Sequence, residues 1–136
     1  MKVTVDANIL FATVLTNGLS RRIWFREELS LYAPQFIEIE LLKYRDYLIA
    51  KTIGDADEFD KITEKILARM KLVDNACLKP FFPAAKTLIS DEKDWLYLAC
   101  ALKEDTIIWS QDKDFQGQRR VPIKTTAQLA KELGIL

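Results

Sequence analysis

The residues of this sequence that are best suited to chemistry are acids that interrupt apolar segments. Asp6 stands between the strand-like stretch KVTV and the apolar ANILF, and Asp112 and Asp114 follow the dense apolar run TIIWS. An acid directly after a buried strand either caps the next helix or turn, or lies at the carboxyl end of a sheet, where α/β folds bind ligands. Taken singly, none of these acids decides between the alternatives.

Two further acids lie on the apolar faces of predicted helices. At about 100° per residue, Glu40 falls inside the apolar arc of a helix that begins at Gln35, whereas Glu38 falls outside it. Asp94 lies on the apolar stripe of the segment SDEKDWLYLACALKED. An acid in a first turn also stabilises the helix dipole, and Asp91 is a candidate N-cap of the same helix. Together with the strand-end acids, Glu40 and Asp94 are candidates for a single site.

The sequence has no histidine, which restricts the chemistry that these acids can support. Ser-His-Asp triads and Cys-His pairs are excluded, and Cys77 and Cys100, without CxxC spacing, are expected to be small buried hydrophobic residues. Clustered carboxylates repel one another by about 3 kcal/mol per pair at roughly 5 Å and an effective dielectric of about 20, and a bound cation relieves this repulsion. Oxygen ligands alone suit Mg²⁺ or Mn²⁺, and such ions promote phosphodiester hydrolysis.

The composition predicts a single domain over residues 1–136. Hydrophobic residues make up 49% of the chain and charged residues 29%, which is typical of a compact globule. No apolar stretch reaches the roughly 20 residues of a membrane span, and the N-terminus lacks the apolar core of a signal peptide. We therefore expect a cytoplasmic, soluble protein with no membrane association. The 20 basic and 20 acidic residues balance, so any contact with nucleic acid must use a local patch.

Short apolar strands alternate with helices along the chain, which predicts an α/β fold with a parallel sheet covered on both faces. The predicted strands are Lys2–Val5, which runs into a helix, Leu31–Ala33, Thr106–Ser110 and Val121–Lys124. The predicted helices are Gly18–Glu28 with Ser20 as N-cap, Gln35 to about Lys51, Ala56–Met70, Asp91–Glu104, and a last helix that Thr125 or Thr126 caps and that ends at Leu133. A loop is predicted for Lys79–Pro83.

Four motifs, in their order along the chain, resemble those of a PIN domain: VDANILF, APQFIEIELLKY, SDEKDWLYLACAL and WSQDKDF. The closing KTTAQLAKEL extends the resemblance over nearly the whole chain, and it implies a three-layer α/β/α fold with a central parallel sheet and an acidic metal site. It matches Asp6 to the first acid of the D-x-N/S motif and Asp112 to the T/S-x-D signature, here SQD. It matches Glu40 to the glutamate of the helix after the second strand, and Asp94 to the aspartate before the aromatic residue and the LA pair.

The resemblance further implies an Mg²⁺- or Mn²⁺-dependent endoribonuclease. The implied metal ligands are Asp6, Glu40, Asp94 and Asp112, with Asp114 as an auxiliary acid, and Asn8 and Ser110 are expected to orient carboxylates or water. Arg21, Arg22 and Lys113 are candidates for contacts with substrate phosphates, although a solvated surface charge is the more ordinary explanation of each.

The expected partners follow from the same resemblance, because many bacterial and archaeal PIN domains are toxins of toxin–antitoxin systems. We expect an RNA substrate, a cognate antitoxin and a homodimer. The predicted helical hairpin from Gln35 to Met70 has more large apolar side chains than one buried face requires, and such a surface usually marks an interface.

Two other functions agree with parts of the sequence. A degenerate PIN-fold domain would bind RNA or a protein without cleaving it, but the four acids of the motifs argue against this alternative. A response-regulator receiver or an aspartate-nucleophile phosphatase would share the sheet, but VDANIL supplies neither paired acids nor a DxDx[TV] motif. The sequence leaves open whether the substrate is RNA or single-stranded DNA.

Overall fold

The computed structural model describes residues 1–136 and contains one five-stranded sheet in which all neighbouring strands are parallel. The strands are β1 (Lys2–Val5), β2 (Ser30–Pro34), β3 (Met70–Val73), β4 (Ile107–Trp109) and β5 (Ile123–Lys124), in the spatial order β3-β2-β1-β4-β5. Helices cover both faces of the sheet, which confirms the predicted three-layer α/β/α fold.

The helices connect and flank these strands. They are α1 (Ala7–Leu15), α2 (Leu19–Trp24), α3 (Phe36–Lys43), α4 (Arg45–Lys51), α5 (Ala56–Ala68), α6 (Asn75–Leu78), α7 (Phe82–Leu88), α8 (Glu92–Glu104) and α9 (Thr126–Glu132), with 3₁₀ turns at Lys79–Phe81 and Lys113–Gly117. None of these helices has both the length and the apolar character needed to cross a membrane.

The central strands β1 and β4 are buried because apolar side chains cover both of their faces. Val3 and Val5 of β1 and Ile108 and Trp109 of β4 have no solvent exposure. Trp109 also packs against Trp24 of α2, with ring centroids 6.0 Å apart. The two strands pair in a register that sets Val5 opposite Trp109, so the residues that follow them come side by side.

The order of the strands reverses at β1, and this reversal opens a crevice. The chain proceeds from β1 through β2 to β3 and then returns to β4 on the other side of β1. In such sheets the crevice lies at the carboxyl ends of the strands where the order reverses, and ligands bind there. Asp6 directly follows β1 and Ser110 directly follows β4, so both residues lie at this crevice.

The segment after β2 differs from its prediction in two ways. The predicted helix from Gln35 to Lys51 is divided at Tyr44, whose φ of −100° and ψ of 7° separate α3 from α4. The predicted helix Ala56–Met70 ends at Ala68, and the edge strand β3 follows it. Both central residues of β3 are exposed, so this strand has no apolar alternation that would have revealed it.

Three smaller predictions are also wrong. The predicted loop Lys79–Pro83 contains a 3₁₀ turn and the start of α7, because proline is compatible with a first helical turn. Of the predicted helix Gly18–Glu28, only Leu19–Trp24 is helical and forms α2. The N-cap of α2 is Gly18 rather than Ser20. Cys77 is exposed, whereas Cys100 is buried as expected.

Candidate functional site

Asp6 connects β1 to α1 and accepts two hydrogen bonds. One carboxylate oxygen accepts from the backbone N–H of Ile9 at 2.9 Å, which caps α1, and the other accepts from the hydroxyl of Ser110. Asp6 is 5% exposed, and this burial raises the pKa of its carboxyl, although the hydrogen bond from Ser110 opposes the shift. The capping prediction is confirmed, and the same carboxylate lies at the crevice.

A chain of hydrogen bonds joins Asp6 to the turn after β4. The hydroxyl of Ser110 donates to Asp6 and accepts from the backbone N–H of Asp112 at 2.9 Å. A carboxylate oxygen of Asp112 in turn accepts from the backbone N–H of Asp114 at 2.9 Å. Ser110 therefore fixes the position of Asp112 relative to Asp6.

Asp94 lies in the first turn of α8, a helix that packs against β1 and β2. It is 9% exposed, and one of its carboxylate oxygens is buried without a hydrogen-bond partner. Burial, followed by the charges of Asp112 and Asp91, raises the pKa of this carboxyl to about 7. An acid with a raised pKa and an unsatisfied buried oxygen is typical of a functional site.

A cleft of about 420 Å³ collects most of the predicted site residues, and we call it the acidic cleft. Its polar residues are Asn8, Glu40, Asp91, Lys93, Asp94, Tyr97 and Asp112, and its aromatic wall consists of Phe11, Phe36, Tyr44 and Tyr47. Asp6 does not line the cleft, but its charge acts on both Asp94 and Tyr97. The structure therefore brings together four of the predicted residues, with Asp6 beside them.

A close group of three carboxylates includes one residue to which the sequence assigned only a capping role. Oxygen atoms of Asp91, Asp94 and Asp114 all lie within 4.8 Å of one another. Asp91 also caps α8 by accepting from the backbone N–H of Lys93 at 3.0 Å. The spacing of Asp91 and Asp94 puts them on the same face of a first turn, and this signal could have identified the pair.

Comparison with known proteins identifies the family. A sequence profile of the PIN domain matches residues 4–134. The chain belongs to the PIN domain family. The resemblance inferred from the four motifs is thereby confirmed, and the family places this PIN domain in the general class of nucleases.

One solved structure shows the same fold. The PIN domain is similar to VapBC2 from Rickettsia felis bound to a DNA fragment from their promoter, with a TM-score of 0.68. The two sequences are 14% identical, and the alignment covers 92% of this chain and 98% of that chain. A comparison with curated protein sequences finds no significant match.

The acids of this PIN domain fit a hard divalent cation. The donors of the acidic cleft are carboxylate oxygens, and such ions prefer oxygen ligands. The buried oxygen of Asp94 has no protein donor, and the neighbouring negative charges disfavour its ionisation. A cation beside Asp94, Asp91 and Asp114 would remove this electrostatic cost. Mg²⁺ and Mn²⁺ both match such a set of ligands.

Tyr97 is a second unsatisfied group in the acidic cleft of the PIN domain. Its side chain is 5% exposed, and its hydroxyl is buried without a hydrogen-bond partner. Burial raises the pKa of this hydroxyl, and the charges of Asp6, Glu40 and Asp94 raise it further, so the group stays a neutral donor. An unsatisfied buried hydroxyl costs roughly 1–3 kcal/mol.

The three basic residues considered for phosphate contacts, Arg21, Arg22 and Lys113, do not line the acidic cleft. The guanidinium of Arg21 donates to the backbone carbonyls of Thr13 and Val14 at 3.0 and 3.2 Å. It satisfies the end of α1 and does not line the acidic cleft, so this arrangement does not favour a phosphate contact by Arg21. The cation that does line the cleft is Lys93, which the sequence reasoning missed.

Proposed function

We propose that this PIN domain hydrolyses RNA phosphodiester bonds as an endoribonuclease that uses Mg²⁺ or Mn²⁺. The observation that carries the proposal is the convergence of carboxylates on one cleft at the carboxyl ends of β1 and β4. The chain has no histidine, so the acids and their cation must carry the chemistry.

The acids have different parts in the proposed site. Asp94, Asp91 and Asp114 would hold the cation, and Asp112 and Glu40 face the same cleft. When bound, the cation supplies activation of water near neutral pH and neutralises charge on the phosphate. Ser110 holds Asp6 and the backbone of Asp112 in place, and Asn8 lies at the cleft to orient a carboxylate or water.

The aromatic wall of the acidic cleft suits a nucleic acid. Tyr44 and Tyr47 are 37% and 58% exposed, so their rings are accessible. The ammonium groups of Lys43 and Lys51 lie 5.3 and 4.6 Å from the centres of these rings. Rings stack on nucleobases and adjacent cations attract phosphates, so this wall complements the carboxylates opposite it.

We also propose that the PIN domain is the toxin of a toxin–antitoxin system and that it forms a homodimer. The cognate antitoxin would dock in a second depression. This depression, which we call the apolar groove, has a volume of about 540 Å³ and lies between α3 and α5, with Phe36, Ile39, Leu41, Leu42, Phe59 and Leu67 among its lining residues. Ile39 and Leu42 are 62% and 74% exposed, which favours a covering partner.

Cleavage assays with RNA test the proposed activity. We expect cleavage only with added Mg²⁺ or Mn²⁺, and we expect EDTA to stop it, because the cleft has no histidine or thiol that could replace the cation. A single-stranded DNA of the same sequence, assayed in parallel, distinguishes the two substrates. Asp94→Asn protein, purified identically, controls for contaminating nuclease. Wild-type cleavage that persists in EDTA while Asp94→Asn is inactive would contradict the metal mechanism.

A further inference from the structure

Two buried polar atoms on α8, both in residues that line the acidic cleft, lack hydrogen-bond partners. One is a carboxylate oxygen of Asp94, which accepts when the carboxyl is ionised, and the other is the hydroxyl of Tyr97. The two residues are three positions apart and therefore lie on one face of the helix. Aromatic side chains on helices point back toward the N-terminus, which directs Tyr97 over the turn that carries Asp94.

We propose that Tyr97 is a positioning residue of the acidic cleft, whose hydroxyl donates to the buried oxygen of Asp94 when the cleft holds its cation. The single bond would satisfy both unpartnered atoms. It would also turn the second oxygen of Asp94 toward Asp91 and Asp114, whose oxygens lie within 4.8 Å. The inference rests on the proposed metal-dependent function.

The surroundings of Tyr97 support this role over a purely structural one. A phenylalanine would fill the same space in the core without burying an unsatisfied hydroxyl. The carboxylates whose charges act on the hydroxyl belong to Asp6, Glu40 and Asp94, so acceptors lie near it. A hydrogen bond from a residue beside a metal ligand orients that ligand, and the loss of such a bond typically weakens metal binding by about 10–100-fold.

Titration of Mn²⁺ alone into metal-free protein, followed by calorimetry, tests the proposal. We expect Tyr97→Phe to raise the Kd for Mn²⁺ by about tenfold or more. Tyr32→Phe is the matched control, because Tyr32 lies on β2 and lines neither the acidic cleft nor the apolar groove, and its Kd should equal that of the wild type. The melting temperature of metal-free Tyr97→Phe should equal or exceed that of the wild type, because only an unsatisfied oxygen is removed.

A spectroscopic measurement adds a readout that a structural role would not change. Donation from a tyrosine hydroxyl to a carboxylate shifts the ultraviolet absorption of the ring, so Mg²⁺ should produce a tyrosine difference spectrum in the wild type and in Tyr32→Phe but not in Tyr97→Phe. An unchanged Kd and spectrum in Tyr97→Phe, with wild-type binding intact, would overturn the role of Tyr97 alone. If the wild type binds Mn²⁺ no better than Asp94→Asn, the proposed metal site fails, and the role of Tyr97 fails with it.

Discussion

The acidic cleft and the apolar groove share α3 but are built in different ways. Glu40 of α3 lines the cleft, Ile39 and Leu42 line the groove, and Phe36 lines both. The groove is the larger of the two and is formed mainly by helices that are neighbours along the chain. The cleft collects residues from distant parts of the sequence, because the parallel sheet brings the ends of β1 and β4 together.

In this molecule the larger depression is not the one that collects the acids. The groove has one ion pair on its wall, in which Arg45 donates to Asp60 at 2.7 Å, and this pair satisfies its own charges. Each depression has one buried hydroxyl without a partner, that of Thr63 in the groove and that of Tyr97 in the cleft, but only the cleft has an unsatisfied carboxylate oxygen, on Asp94, whose carboxyl has a strongly raised pKa. A buried acid of this kind points to ligand chemistry, whereas exposed apolar side chains point to a protein partner.

The largest expected effect is the loss of nuclease activity in Asp94→Asn. Asparagine keeps the size of the side chain but removes the charge that would bind the cation, so cleavage of RNA should fall by about 100-fold or more. Glu38→Gln makes the same chemical change on the groove side of α3, and its cleavage rate should equal that of the wild type. Wild-type activity in Asp94→Asn would show that catalysis does not depend on the acidic cleft.

The next effect concerns the groove. Leu42→Glu places a charge on an exposed side chain of the groove wall, so antitoxin binding or self-association through this surface should weaken by about 30-fold or more. Ile53→Glu is the control, because Ile53 is fully exposed and lines neither depression. Sedimentation velocity measures dimerisation, and co-purification with a small protein encoded next to this gene measures the antitoxin. Equal behaviour of both variants would show that the groove is not an interface.

The sequence predicted the residues of the cleft better than their arrangement. An acid after a strand and an acid on an apolar helix face are local patterns, and they selected Glu40, Asp94 and Asp112, which line the cleft, and Asp6, which lies beside it. The close approach of Asp91 to Asp114 depends on how α8 sits against the turn after β4, which no local pattern contains. The site residues therefore remain a prediction whose geometry is now specified.

The fold was predictable where apolar patterns were strong and missed where tertiary contacts decide. The buried strand at Ile107–Trp109 is dense in apolar residues and was recognised. The edge strand at Met70–Val73 follows α5 almost directly and exposes Lys71 and Leu72, so only its pairing with β2 defines it. For the same reason, the sequence could not show that Arg21 serves the end of α1.

The next smaller effect is on the pH dependence of stability, which should differ between Asp94 of the cleft and Asp60 of the groove. The pKa of Asp94 is raised from 3.8 to about 7, so the folded metal-free protein holds this proton more tightly than the unfolded chain. Its stabilising contribution is complete below the unfolded pKa and is lost as the pH rises through the folded value, at no more than about 1.4 kcal/mol per pH unit. Thermal melts in EDTA should show this decline between those values, and Asp94→Asn should reduce it.

Asp60, an acid of the apolar groove, is the control, because its pKa shifts in the opposite direction to that of Asp94. The hydrogen bond from Arg45 lowers the pKa of Asp60, so its contribution is present above the unfolded pKa and is lost as the pH falls through the folded value. Asp60→Asn should therefore leave the decline toward neutral pH unchanged and affect only acidic melts. An identical pH profile for Asp94→Asn and the wild type would show that Asp94 does not carry the raised pKa.

The smallest expected effect is that of Asp6→Asn on the stability of the metal-free protein. Asparagine caps a helix nearly as well as aspartate, so the hydrogen bond from Ile9 should survive. Loss of a buried negative charge relieves repulsion from Asp112, while the hydroxyl of Ser110 loses its charged acceptor, and these terms oppose each other. We expect the free energy of unfolding of metal-free Asp6→Asn to equal that of the wild type or to exceed it by no more than about 1 kcal/mol.

The same variant then separates a cap from a site acid when the cation is added. The wild type should gain about 2.7 kcal/mol at a Mg²⁺ concentration one hundred times its Kd, and Asp6→Asn should gain much less and lose RNA cleavage. If Asp6→Asn gains as much as the wild type and cleaves RNA, Asp6 serves only to cap α1. The chemistry of the cleft would then depend on the acids of α8 and of the turn after β4, where oxygen atoms of Asp91, Asp94 and Asp114 lie within 4.8 Å of one another.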